Sequence, residues 1–164
     1  MKKLFFIVAI LATVFTQSFA QSVPMLRVDS TTQTQLSQLL TSYYNIKDAL
    51  VAGNATSASA NAEQFVKSAN GIDYKVISEG NINALVKDAR LISEAKGVDK
   101  QRQFFANFST NIVALAKAVK LTSEPVYEAY CPMKKSYWLS SDKAIKNPYF
   151  GNAMLTCGSV KETL

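Results

Sequence analysis

Two cysteines and two methionines near the C-terminus are the residues of this sequence best suited to chemistry. Met133 follows Cys131 by two positions, and Met154 precedes Cys157 by three. Copper(I) and silver(I) prefer thiolate and thioether donors, and the chain offers these donors in two pairs. The pattern predicts a soft-metal site in which Cys131 and Cys157 are the principal ligands and Met133 and Met154 are auxiliary donors.

The same two cysteines also fit a structural disulfide. The chain has no other cysteine, and cysteine pairs in exported proteins usually join. A Cys131–Cys157 bridge would close a loop of about 27 residues and contribute roughly 3.5 kcal/mol. The methionines would then be packing residues. Because an oxidised pair offers no thiolates, metal loading would require reduction first, and the residues alone leave both interpretations open.

The segment between the sulfur pairs carries aromatic and basic side chains. Trp138 could stack over a bound cation and shield it from water. The lysines of this segment are typical of a solvated loop, since the whole chain has a formal charge of only +6. Nucleic acid is therefore not expected as a partner.

The N-terminus has the pattern of a secretory signal peptide. Lys2 and Lys3 precede an apolar run over residues 4–15, and small residues end at Ala20. The run is shorter than the roughly 20 residues that span a bilayer. We therefore expect a signal peptide over residues 1–20 and a mature, soluble chain over 21–164 in the periplasm, without membrane insertion after cleavage.

The composition argues against most enzyme classes. The chain has no histidine, so it cannot form a Ser/His or Cys/His nucleophile pair or the usual histidine-containing zinc site. It also lacks a glycine-rich phosphate loop. We expect a protein that is not an enzyme.

Hydrophobic residues recur at steps of three and four over most of the mature chain, which predicts helices. The predicted helices cover residues 30–52, 55–70, 79–96, and a stretch from Asp99, as N-cap, to a limit at Pro125. Short connections favour an all-α fold, a four-helix up-down antiparallel bundle over residues 21–125.

Helical periodicity disappears after Pro125, where tyrosines, prolines and glycines become dense. This composition predicts a C-terminal aromatic-rich cap over residues 126–164, packed on the same domain. Two or three short strands are expected in it, around residues 126–131, 137–139 and 155–160.

Two segments of the cap form a specific signature, YEAYCPM from Tyr127 and YWLSSDKAIKNPYFGNAMLTCG from Tyr137. They resemble a bacterial family of exported domains of unknown function. YYNIKDALVAGNATSASANAEQF, from Tyr43, resembles the first helix pair of that family. Members stand alone or are fused to the C-terminus of adaptor subunits of heavy-metal efflux systems, especially copper and silver exporters.

The resemblance implies a periplasmic protein that binds copper(I) or silver(I), for buffering or hand-off to an efflux adaptor. Cys131, Met133, Met154 and Cys157 occupy the matching motif positions. The alternative is a non-catalytic interaction module with a Cys131–Cys157 disulfide and no metal, whose aromatic residues form the contact surface.

Overall fold

The computed structural model describes residues 30–164, so the predicted signal peptide lies outside the described residues. Four helices come first, and their bounds agree with the predictions to within two residues at most ends. They are α1 Ser30–Val51, α2 Ala55–Asn70, α3 Glu79–Glu94 and α4 Val98–Ala118. None of these helices is long and apolar enough to cross a membrane.

The start of α4 differs from the prediction, which placed Asp99 as its N-cap. The helix begins at Val98, and Gly97 precedes it with φ +85° and no side-chain cap. Asp99 is therefore the second residue of the helix. Its carboxylate lies in the first turn, where the positive end of the helix dipole stabilises a negative charge.

The helices bury the faces that the periodicity predicts. All six apolar residues that define the predicted face of α1 are at most 2% exposed, namely Leu36, Leu39, Leu40, Tyr43, Ile46 and Leu50. Rings from α2 and α4 complete this core, where Phe65 and Phe108 meet edge to face at 4.7 Å. Such aromatic pairs stabilise the fold beyond the contribution of the apolar area that they bury.

A small antiparallel sheet follows the helices, so the fold is a helical bundle with a three-stranded sheet, not an all-α one. The strands are β1 Tyr127–Cys131, β2 Ser136–Ser140 and β3 Ser159–Thr163, and β1 is the central strand. In the register of β1 and β2, Ala129 pairs with Trp138 and Cys131 pairs with Ser136.

The third strand was predicted over residues 155–160 and lies three to four positions further along the chain. Residues 155–158 belong to a loop because their backbone N–H and C=O groups form hydrogen bonds within that loop. The Asn147 N–H donates to Leu155 O at 2.8 Å, and the Cys157 N–H donates to Met154 O at 3.1 Å. These local bonds replace the ladder bonds that a strand would need.

Candidate metal centre

The structure brings the two cysteines together. Cys131 is the last residue of β1 and is completely buried, whereas Cys157, in the loop before β3, is partly exposed. Their Sγ atoms lie 3.9 Å apart, and both are free thiols. Two residues that are 26 positions apart in the sequence are thus in contact in the fold.

The distance between the sulfurs suits a shared ion. A zinc–thiolate bond is about 2.3 Å long, so two thiolates on one ion of that size lie at most about 4.6 Å apart. At 3.9 Å, the pair falls inside this limit. A disulfide needs a sulfur separation of about 2.05 Å, so the same thiols would have to move nearly 2 Å closer to form one.

Backbone N–H groups of the turn between β1 and β2 face the sulfurs. The Lys134 N–H donates to Cys131 Sγ at 3.4 Å, and a backbone hydrogen bond from Met133 reaches the Cys157 sulfur. Lys135 closes the turn with φ +55°. Consecutive amides in such a turn form a concave site that favours negative charge, and hydrogen bonds of this kind tune metal-bound thiolates.

The pKa of the Cys157 thiol is raised from its ordinary value. Burial is the main cause, and the neighbouring Cys131 thiol adds to it, while the backbone hydrogen bond from Met133 opposes the shift. Cys157 is therefore a protonated thiol at neutral pH. A metal that binds to it must displace the proton, which makes affinity rise with pH.

A buried asparagine organises the loop that carries Cys157. Asn147 is 0% exposed, and its Nδ2 donates to Cys157 O at 2.7 Å. Its Oδ1 accepts from the Tyr149 N–H at 2.8 Å. No pattern in the sequence marks this residue as part of the site. An Asn-Pro dipeptide such as Asn147–Pro148 is typical of a turn, but it does not predict a contact ten residues away.

Arg102 fastens the same loop to the helices. Its Nη2 donates to Leu50 O at 2.7 Å, near the end of α1, and its Nε donates to Pro148 O at 3.1 Å. Gly151, with φ +52°, leaves room for this contact because a Cβ there would lie 2.8 Å from Val51 O and would also meet the guanidinium. One side chain thus ties α1, α4 and the loop together.

Trp138 lies beneath the loop and is 1% exposed. Its ring meets Tyr149 edge to face at 6.1 Å, and Gly158 packs on its edge. A Cβ on Gly158 would stand 2.6 Å from Trp138 Cη2. The indole therefore supports the residue next to Cys157, while its role as a shield over an ion stays a prediction.

The methionines differ in their surroundings. Met133, in the turn between β1 and β2, is 65% exposed, and Met154, just after a short 3₁₀ turn over Gly151–Ala153, is partly buried. Their part in metal binding stays a prediction. Within residues 30–164, no group of three or more His, Cys, Asp or Glu side chains is arranged to hold a metal. A third protein ligand would therefore come from outside these residue types, as a thioether would.

A large cleft in the described part of the chain lies away from the sulfurs. It has a volume of about 660 Å³ and is formed by residues 116–126 and 162–164. These residues flank the Tyr127 end of β1, whereas Cys131 is at the other end, roughly 13 Å along the strand. The cleft is not part of the candidate centre.

The family described as "Protein of unknown function (DUF3347)" matches residues 39–124, just over half of the chain. The chain belongs to this family. No curated protein and no solved structure matches.

Membership of DUF3347 confirms the expected relation to a family of unknown function. The matched range covers most of α1 and all of α2, α3 and α4 and ends before β1. None of the four sulfur-containing candidates lies within it. The case for the metal centre therefore depends on the geometry of the cap.

Proposed function

We propose that this DUF3347 protein binds copper(I) or silver(I) through Cys131 and Cys157, either to buffer the ion or to pass it on. The observation that carries this proposal is that the two Sγ atoms lie 3.9 Å apart, a distance that one ion can bridge. Soft ions with low coordination numbers suit a site with two thiols and few other donors.

The unequal burial of the thiols supports a site that exchanges its ion. Cys131 is buried, whereas Cys157 is partly exposed and lies next to the backbone of Met133. An ion could then enter or leave by the Cys157 side without unfolding the sheet. From the family resemblance, we propose the adaptor of a heavy-metal efflux system in the periplasm as the acceptor.

The proposal is tested by titrating anaerobically reduced protein with copper(I) against a coloured copper(I) chelator. Wild-type protein should take up one equivalent, and the double variant Cys131→Ser, Cys157→Ser should not. Thr156→Ala, next to Cys157 and exposed, is the matched control and should behave as wild type. Equal competition by the double variant would show that the ligands are elsewhere.

A second candidate function has its own observation in its favour. Met133, in the β1–β2 turn, and Tyr137, in β2, are 65% and 41% exposed, and both offer apolar surface to a partner. On this alternative, the cysteines form a structural disulfide and the cap docks on a partner protein. Mass spectrometry of protein purified from the export compartment separates the two: loss of two hydrogens favours the disulfide, and bound copper favours the metal site.

We also propose that the four helices alternate in direction. The connections over residues 52–54 and 95–97 have three residues each, and such short links favour antiparallel neighbours. This course would place the start of α1 and the end of α4 at one end of the bundle. The hydrogen bond from Gln33 Nε2 to Leu121 O at 3.1 Å agrees with that arrangement.

A further inference from the structure

The loop between β2 and β3, residues 141–158, reaches Cys131 without strand pairing of its own, so its shape depends on specific bonds. Asn147 makes four of them. Its side chain bonds to Cys157 O and the Tyr149 N–H, and its main chain bonds to Leu155 O and the Gly151 N–H. The side chain is fully buried, so water does not compete for these bonds.

The primary amide is the chemical group that this position requires. The carbonyl oxygen of Cys157 needs a donor, and the Tyr149 N–H needs an acceptor. An amide provides both at the end of a short side chain. An aspartate of the same shape would supply only acceptors and would place a charge against the Cys157 carbonyl.

Cys131 needs no such support because it belongs to β1 and pairs with Ser136 of β2 in the ladder between these strands. Cys157 is held at both backbone groups, by its N–H to Met154 O and by its carbonyl to Asn147 Nδ2. Of these two bonds, the second is the one made by a side chain. The distance between the two sulfurs is thereby coupled to the conformation of one buried amide.

We propose that Asn147 is the positioning residue of the dithiol: its amide keeps the Cys157 thiol next to the Cys131 thiol, 3.9 Å away, so that both sulfurs can take part in one reaction. Chelation of a soft ion is one such reaction, and closure of a disulfide is another. The metal part of this inference rests on the proposed function. The disulfide part does not, because it concerns only the thiols.

The test compares Asn147→Asp with Asn152→Asp, a control with the same change of charge at an exposed position of the same loop. Protein is equilibrated with mixtures of reduced and oxidised glutathione, and thiols are trapped by alkylation and counted by mass spectrometry. In this exchange the two protein thiols lose two electrons and two protons, and one glutathione disulfide becomes two glutathione thiols. The equilibrium constant measures the effective concentration of one protein thiol at the other.

Asn147→Asp should lower this equilibrium constant about 10- to 100-fold, the size of effect seen when groups that orient ligands are removed. It should lower copper(I) affinity by a similar factor, and Asn152→Asp should change neither by more than about two-fold. If Asn147 had only a structural role, its replacement would lower the melting temperature of the reduced protein but leave the thiol equilibrium of the folded protein unchanged.

Asn147→Ser serves as a second variant because it adds no charge. A wild-type thiol equilibrium in both folded variants would overturn the proposal, and so would failure of both variants to fold, which would make Asn147 a folding residue. If wild-type protein shows the thiol equilibrium but binds no copper(I), the proposed function fails while the role of Asn147 is still tested.

Discussion

The hydroxyl of Tyr43, in α1, lies 3.0 Å from the backbone nitrogen of Leu139, in β2, and accepts its hydrogen bond. The same hydroxyl lies 2.6 Å from Ser109 Oγ, in α4. All of these groups are buried. Burial raises the pKa of Tyr43 well above the usual range, so the phenol keeps its proton and bonds two helices to the sheet at any ordinary pH.

Replacement of Tyr43 by phenylalanine should lower the free energy of unfolding by about 1–3 kcal/mol, because the buried Leu139 N–H loses its acceptor. Denaturant unfolding followed by circular dichroism measures this change. Tyr74→Phe is the control, since Tyr74 is 55% exposed. Equal stability of Tyr43→Phe and wild type would show that the cap does not depend on this bond.

Asp88, a buried residue of α3, accepts hydrogen bonds at Oδ2 from Asn107 Nδ2 at 2.8 Å and Asn111 Nδ2 at 2.7 Å, both in α4. Asp88→Ala leaves both amide donors without this partner and should cost about 2–4 kcal/mol in the free energy of unfolding. Glu94→Ala, at an exposed position of the same helix, should change it by less than about 0.5 kcal/mol. Similar losses in the two variants would show that the bonds at Asp88 do not stabilise the fold.

Gly158→Ala should disturb the candidate centre directly. The added Cβ would lie 2.6 Å from Trp138 Cη2, and φ is +147°, which favours glycine. We expect a loss of at least about 1 kcal/mol in the free energy of unfolding and weaker copper(I) binding, measured by chelator competition. Gly80→Ala, in α3, where nothing lies within 4 Å of the new Cβ, should be neutral or stabilising. Unchanged copper(I) affinity in folded Gly158→Ala would argue against close packing of the loop at the sulfurs.

The ion pairs of Lys117 predict a dependence of stability on pH. Its Nζ lies 2.6 Å from Glu128 Oε2 and 2.9 Å from Glu162 Oε2. The hydrogen bond to Lys117 is the main cause that lowers the pKa of Glu162 below its ordinary 4.5. A carboxyl whose pKa is lower in the folded state contributes stability above its unfolded pKa and loses it as pH falls through the folded value.

The melting temperature of wild-type protein should therefore fall as the pH is lowered from 6 to 3, and that of Glu162→Gln should fall less. The difference between the two proteins should be largest above about pH 4.5 and should shrink below it. Because Glu162 is half exposed, salt should reduce the difference. Parallel curves over the whole range would show that this pair has no such role.

The helices could be predicted from the sequence because their signal is local. The spacing of Leu36, Leu39, Tyr43 and Ile46 marks one face of α1, and Gly53 marks its end. The prediction of the third strand was wrong at its start, where a distant residue determines the backbone conformation. Leu155, placed in a strand, bonds instead to the main chain of Asn147.

The meeting of the cysteines was anticipated from their residue types, but the groups that hold them were not. The amides of Met133 and Lys134 face the sulfurs because of the turn geometry at Lys135, and no side-chain pattern announces this. The contacts of Arg102 could not be predicted either, since an arginine in a helix is usually solvated. Its bonds to Leu50 O and Pro148 O exist only in the folded chain.

X-ray absorption at the copper edge of the reduced, copper(I)-loaded protein tests most directly whether the two thiols share one ion. If both thiols bind the ion, wild type should show at least two sulfur neighbours at about 2.3 Å, and the double variant Cys131→Ser, Cys157→Ser should lose that sulfur shell. A wild-type spectrum with only nitrogen and oxygen neighbours, or one that is unchanged in the double variant, would show that the two thiols do not share one ion.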